Sequence, residues 1–146
     1  MGTRADFYVG IGPNAEWIGS ISYDGYPDGK PSGVLMATTE KMFRVKARRV
    51  FADPDALSTL PSEGWPWPWD DSRTTDFAYA WVASKNKVML SRFGLQWESL
   101  SGYNRRMAAD GPDRARLTVR EVKDMSKLRM DAAGVMAKSG LLILRG

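Results

Sequence analysis

Two pairs of strand-like segments limit, more than any other feature, how this chain can fold. Residues 6–9 and 17–23 are rich in aromatic and β-branched side chains, and the glycines, proline and asparagine of residues 10–14 form a turn between them. Residues 77–82 and 88–93 flank a second short polar turn in the same manner. The sequence therefore predicts two β-hairpins.

The segment from Trp17 to Tyr23 alternates in polarity, which is typical of an antiparallel strand with one buried face. The alternation predicts one face made of Trp17, Gly19, Ile21 and Tyr23 and an opposite face made of Ile18, Ser20 and Ser22. Prolines and glycines then interrupt every regular pattern between residues 24 and 33, so a surface loop is expected there.

Helical periodicity runs from about Gly33 to Phe51, and Ser32 precedes it as a candidate N-cap. The apolar residues that fall on one face of this helix are Met36, Phe43, Ala47 and Val50. Three cations share an adjacent face, namely Lys41, Arg44 and Arg48. The remaining predicted elements are a short helix from Asp53-Pro54 to Leu60, a helix from Ser126 to about Lys138, and strands over 117–122 and 141–144.

Length and composition suit one globular domain. The chain has 146 residues, of which 43% are apolar and 26% charged, so a single core over residues 1–146 is expected. With the elements above, this predicts an α+β fold: an antiparallel sheet of about five strands with two main helices packed on one face.

The chain contains neither cysteine nor histidine. Their absence excludes disulfides, thiolate catalysis, Ser-His-Asp hydrolysis and every metal site built on these ligands. We therefore expect no metal and no cofactor, and we favour a non-enzymatic function over an enzymatic one. Because the apolar runs are too short to span a membrane and Asp6 interrupts any apolar leader, a cytoplasmic location without membrane attachment is expected.

The segment Trp65-Pro66-Trp67-Pro68-Trp69 is unusual in composition. Its prolines favour an extended backbone, so the three indoles are expected to project in different directions rather than to form one continuous stacking platform. Two interpretations stay open. The rings could contact a partner, with Trp67 as the anchor, or they could pin an irregular loop to the core.

Three carboxylates follow this segment, those of Asp70, Asp71 and Asp76. Nearby carboxylates can bind a divalent cation or act as an acid/base pair, so a carboxylate-dependent enzyme is one hypothesis. The same residues are also common as caps and in turns.

Positive charge is concentrated in the second half of the chain. Residues 1–73 carry a net charge of −2 and residues 74–146 carry +6. Between 101 and 130 the basic residues surround Tyr103, and Arg105, Arg106 and Arg116 are the candidate contacts with an anionic partner. A solvated basic face explains the same pattern.

Several segments resemble a family of small uncharacterised proteins carried by bacterial phages, prophages and conjugative elements: residues 1–10, 16–21, 24–27, 65–69, 71–76, 78–80 and the closing region 139–141. The resemblance implies a habitat but no reaction, cofactor or catalytic residue. Small accessory proteins of mobile elements often bind a host machine, as inhibitors of CRISPR or restriction systems do.

The sequence thus predicts a non-enzymatic protein that binds a host protein or protein–nucleic acid complex stoichiometrically, with Trp67, Tyr103, Arg105, Arg106 and Arg116 as contact residues. One alternative is a sequence-tolerant DNA- or RNA-binding module that uses the same basic residues. The other is the carboxylate-dependent enzyme described above.

Overall fold

The strands of this chain form one six-stranded sheet in a computed structural model that describes residues 2–110. In chain order the strands are β1 (Ala5–Val9), β2 (Glu16–Ile21), β3 (Ser58–Thr59), β4 (Phe77–Val82), β5 (Lys87–Arg92) and β6 (Glu98–Ser99). Strands β1 and β2 pair antiparallel, as do β4 and β5, so both predicted hairpins are confirmed.

The order of strands across the sheet is β3-β2-β1-β4-β5-β6. The fold is α+β, as predicted, but the sheet has six strands and is mixed, because β1 and β4 pair in parallel at its centre. The expectation of a purely antiparallel sheet is wrong at this one junction. The long connection between β1 and β4 contains a helix, which lets the two strands run in the same direction.

The main helix, α1 (Glu40–Ala52), begins later than the periodicity predicts. Thr39 caps it by accepting a hydrogen bond from the Met42 amide, whereas residues Lys30–Met36 form a separate 3-10 helix without a side-chain cap. The extended backbone at Ala37 and Thr39 separates the two helices. Met36, predicted to share the apolar helix face with Phe43, is consequently 65% exposed.

The sheet buries both of its faces. The helix face, which α1 covers, carries Phe7, Ile21, Tyr79 and Leu90 against the apolar side of α1, made of Phe43, Ala47, Val50 and Phe51. The opposite face, called here the loop face, carries Tyr8, Ala78, Ala80, Val82 and Trp97. All six residues of β4 are buried, as expected of a central strand covered on both sides.

A β-bulge opposite Phe7 and Tyr8 changes the predicted faces of β2. Gly19 pairs with Phe7 but Trp17 pairs with Tyr8, so the extra residue, Ile18, falls between them. Because the extra residue breaks the alternation between Ile18 and Gly19, Trp17 packs with the loop-face cluster and Ile18 with the helix-face cluster. The prediction that Trp17 shares a face with Ile21, and Ile18 with Ser20, is therefore wrong.

Two further corrections concern helices. The helix predicted from Asp53-Pro54 to Leu60 is only the 3-10 turn Pro54–Ala56, because Leu57 adopts a left-handed conformation and the chain then enters β3. The helix α2 (Leu100–Asp110) was not predicted. The strands predicted at 117–122 and 141–144 and the helix at 126–138 lie outside the described residues. Within residues 2–110, no helix has the length and apolarity that crossing a membrane requires.

Candidate functional site

A buried carboxylate organises the loop face. Asp6 on β1 is fully buried, and its Oδ1 accepts hydrogen bonds from Ser20 Oγ at 2.6 Å and from Trp67 Nε1 at 2.7 Å. Its Oδ2 accepts one from Ser72 Oγ at 2.6 Å. The Tyr8 hydroxyl and Ser72 Oγ also share a hydrogen bond of 2.5 Å. We call these five residues the Asp6 cluster.

The Asp6 cluster joins three separate parts of the chain. Asp6 and Tyr8 belong to β1, Ser20 belongs to β2, and Trp67 and Ser72 come from the irregular segment that precedes β4. The Asp6 carboxylate is inaccessible to solvent, and all of its hydrogen bonds given above are to side chains of these other segments. The cluster therefore fixes the tryptophan-rich segment to the sheet.

Burial raises the pKa of Asp6 above its ordinary value, and the hydrogen bonds, that of Ser20 first, lower it by less. Burial also raises the pKa of the Tyr8 hydroxyl, and the neighbouring Asp6 charge raises it further. The folded protein thus holds the Asp6 proton to higher pH than the unfolded chain does.

This shift predicts a pH-dependent stability. Asp6 contributes fully to the free energy of unfolding below the unfolded pKa, and that contribution is lost as pH rises through the higher folded pKa. We expect wild-type protein to gain stability relative to the Asp6→Asn variant as pH falls from 7 towards 4. Urea unfolding of both proteins across this range measures the difference, and a difference that is constant or largest at pH 7 contradicts the prediction.

The three indoles of the tryptophan-rich segment are all half-buried, and each N–H is bonded internally. Trp65 donates to the Trp69 carbonyl, Trp67 to Asp6, and Trp69 to Thr75 Oγ1 at 3.0 Å. Trp65 packs edge-on against Trp17. These contacts favour the interpretation in which the rings hold a loop on the core.

Trp67 and Trp69 nevertheless stack, with ring centroids 5.5 Å apart and planes inclined by 17°. The Arg4 guanidinium lies 5.6 Å from one ring centroid and 5.5 Å from the other. The expectation that the indoles point in different directions is wrong for this pair, because the chain bends from Trp67 onwards instead of staying extended. Trp65 does not join the stack.

The three candidate carboxylates do not converge. Asp70 is exposed, and Asp76 Oδ2 accepts from the Arg4 amide at 2.9 Å. Asp71 is buried: its Oδ1 accepts from the Arg73 amide, and its Oδ2 lies 3.3 Å from Arg73 Nη2. Among residues 2–110, no three His, Cys, Asp or Glu side chains come close enough together to hold a metal ion.

The predicted contact residues lie in different places. Trp67 bonds Asp6 on the loop face, whereas Tyr103 packs edge-on against Phe77 of the helix-face core. Arg106 pairs with Glu98 at 2.6 Å and lies over the Tyr103 ring, and Arg105 is exposed on the same helix. Arg116 lies outside the described residues. Trp67 and Tyr103 therefore do not form one surface.

The outward side of α1 is a basic surface that the sequence analysis did not select. Its cations are Lys41, Arg44, Lys46, Arg48 and Arg49, against one acid, Glu40. Arg44 is neutralised by Glu16 at 2.8 Å and by Glu40 at 2.9 Å. The other four form no ion pair with any residue between 2 and 110. The sequence feature that could have predicted this basic surface is the presence of five cations within thirteen residues of an amphipathic helix.

A cleft of about 320 Å³ lies between the second half of α1 and the 3-10 helix Lys30–Met36. Val34 and Val50 form its apolar lining, and Lys46 and Arg49 line it from α1. The Lys30–Asp53 ion pair, 2.6 Å long, also lines it. This pairing raises the pKa of Lys30 and lowers that of Asp53, so both groups stay charged near neutral pH.

Within residues 2–110 the buried carboxylates of Asp6 and Asp71 are enclosed, whereas Lys41, Arg48 and Arg49 face solvent. Comparison of the chain with protein-family models, with curated proteins and with solved structures finds no match.

Proposed function

We propose that this protein is a non-catalytic binding protein that covers an anionic surface of a host macromolecular complex with the outward side of α1. One observation carries the proposal: Lys41, Lys46, Arg48 and Arg49 project from a single helix without an ion-pair partner among residues 2–110. These cations are a local excess, since residues 1–110 contain thirteen basic and thirteen acidic side chains in all.

The helix is held rigidly for such a contact. Phe43, Ala47, Val50 and Phe51 are buried against the sheet, so the backbone that carries the cations is already ordered before a partner arrives. A pre-ordered surface loses less conformational entropy on binding, and clustered charge of one sign accelerates encounter with an oppositely charged partner.

The outward side of α1 also has an apolar centre. Met42 is 37% exposed and Val45 is half-buried; at helical spacing Val45 falls between Lys41 and Arg49, and Met42 falls between Arg49 and Lys46. An apolar centre with a charged rim is the usual composition of a specific macromolecular interface. The surface therefore suits a defined, stoichiometric partner.

The resemblance to proteins of mobile elements supports a host complex as the partner, with occlusion of a CRISPR or restriction system as the mechanism. An inhibitor that mimics DNA presents an acidic surface, whereas the surface of α1 is basic. A basic surface is complementary in charge to an acidic protein surface or to nucleic acid, so it suits an inhibitor that covers one of these.

Affinity capture tests the proposal with a matched control. The tagged wild-type protein, a Lys41→Gln/Arg48→Gln variant and a Lys85→Gln/Lys87→Gln variant are used as baits in lysates of a bacterial host that carries defence systems. Both variants remove two exposed cations, but Lys85 lies in the β4–β5 turn and Lys87 is the first residue of β5. We expect the wild-type protein and the Lys85→Gln/Lys87→Gln variant to capture the same partner in stoichiometric amount. At 0.1 M salt, the Lys41→Gln/Arg48→Gln variant should capture roughly tenfold less of it, or less still.

Thermal unfolding of the three baits confirms that they are equally folded. A companion retained undiminished by the α1 variant overturns the proposal, and so does a wild-type bait that is isolated without any companion.

A further inference from the structure

We propose that the cleft between α1 and the 3-10 helix Lys30–Met36 seats a phosphate group of a nucleic-acid backbone, with Lys46 and Arg49 as its cationic contacts. This inference rests on the proposed function, because it names the class of anion that the α1 surface meets. The shape, the charges and the lining of the cleft support it.

The cleft has the size of a site for one small group. Its volume of about 320 Å³ lies at the lower end of the range for ligand pockets, and it opens to solvent. Val34 and Val50 line it, each buried at the contact between the two helices. An apolar lining of this kind accommodates the carbon atoms of a sugar but provides no hydrogen bonds to it.

The charges in the cleft favour an anion. Lys46 and Arg49 lie three residues apart on α1, a spacing that places neighbouring side chains on one side of a helix. The single acid in the lining, Asp53, is fully engaged: its Oδ2 bonds Lys30 at 2.6 Å and its Oδ1 bonds the Asp55 amide at 2.9 Å. The excess charge of the cleft is therefore positive.

The number of cations favours phosphate over a carboxylate. The two oxygens of a carboxylate are satisfied by the two-pronged guanidinium of one arginine. A phosphate group carries more acceptor oxygens and binds both point-charge lysines and arginines. Lys46 and Arg49 together provide more donors than one carboxylate can use.

The lining favours a backbone contact over base recognition. None of the described residues that line the cleft is aromatic, so a base entering it has no ring on which to stack. Contacts to phosphate position a nucleic acid without reading its sequence. The cleft is therefore expected to bind DNA or RNA with little sequence preference.

Gly33 provides a way to block the cleft without changing its charge. It lines the cleft, its backbone lies outside the left-handed region, and no other atom lies within 4 Å of the position that a Cβ would take. A Gly33→Leu substitution is therefore compatible with the fold, and its larger side chain narrows the opening.

Fluorescence anisotropy tests the inference with two labelled probes, a 20-nucleotide DNA of random sequence and a polyglutamate of similar length. The proteins compared are wild type, Lys46→Gln/Arg49→Gln, Gly33→Leu and the control Lys85→Gln/Lys87→Gln. We expect the charge variant to bind DNA more weakly by roughly ten- to a hundredfold at 0.1 M salt, with a salt dependence reduced by about one phosphate contact. Gly33→Leu should weaken DNA binding several-fold with its charge unchanged, and the control should stay close to wild type.

The outcomes separate this inference from the proposed function. DNA binding that is insensitive to both cleft variants overturns the inference. Binding of polyglutamate but not of DNA, abolished by Lys46→Gln/Arg49→Gln, also overturns it while leaving the proposed function intact. If neither probe is bound, the inference fails, and the proposed function is then decided by the capture experiment alone.

Discussion

Replacing Asp6 with alanine is expected to lower the free energy of unfolding by about 3–5 kcal/mol. The substitution removes the acceptor of Ser20 Oγ, Ser72 Oγ and Trp67 Nε1 together. Ser72 Oγ still accepts from the Tyr8 hydroxyl, but its own hydrogen loses its acceptor, and the indole N–H of Trp67, whose direction is fixed, is left unpaired as well. Buried donors that lose their acceptor cost about 1–3 kcal/mol each.

The matched control for this prediction is Asp6→Asn. The amide oxygen can accept from Ser20 and Trp67, and the amide nitrogen can donate to Ser72 Oγ, so we expect a loss of about 1–2 kcal/mol at neutral pH. Urea unfolding followed by tryptophan fluorescence and by far-UV circular dichroism measures both variants. An alanine variant that loses less than about 1 kcal/mol, or no more than the asparagine variant, would show that the cluster does not hold the loop.

The strands of each hairpin are predictable because their pairing is local. The turns at 10–14 and 84–87 bring neighbouring segments together, and alternation then assigns most side chains to a face. The parallel pairing of β1 with β4 joins segments about seventy residues apart, and no local pattern encodes it. No local pattern indicates the bulge opposite Phe7 and Tyr8 either, since it depends on how the partner strand packs.

The predicted start of α1 was wrong because two residues can cap the helix. Ser32 and Thr39 are both acceptable N-caps, and the periodicity of Met36 with Phe43 favours the earlier start. The structure uses Thr39, because Lys30–Met36 forms a 3-10 helix and Ala37 is extended. The helix α2 escaped prediction because its exposed polar residues mask the few apolar positions, such as Tyr103, that pack on the core.

The candidate sites likewise divide into features that local sequence predicts and features that depend on residues far apart in the chain. The cations of α1 are visible in the sequence because they share one helix, although only the structure shows which of them lack acidic partners within residues 2–110. The Asp6 cluster could not be predicted, since its hydrogen bonds join residues separated by 14, 61 and 66 positions. The role of the tryptophans required both sequence and structure. The composition of the segment drew attention to them, and the structure showed that their N–H groups donate hydrogen bonds within the protein.

Gly19 is the second position at which a single substitution should have a large effect. A Cβ at Gly19 would lie 2.6, 2.7 and 3.0 Å from three outer atoms of the Phe51 ring, and the φ angle of Gly19 is +154°. Phe51 cannot move away freely, because it packs edge-on against Phe7 with centroids 5.2 Å apart. We therefore expect Gly19→Ala to lower the free energy of unfolding by about 2–4 kcal/mol, through overpacking together with backbone strain.

A double-mutant cycle separates the two causes. Leucine at position 51 lacks the ring atoms that the new Cβ would meet, and Phe51→Leu alone is expected to cost about 1–2 kcal/mol. In the Phe51→Leu background, Gly19→Ala should then cost only about 1 kcal/mol, which leaves a coupling energy of about 1–3 kcal/mol between the two sites. If Gly19→Ala costs the same in both backgrounds, backbone strain alone is responsible, and the close approach of α1 to β2 at this glycine does not limit the packing of the helix face.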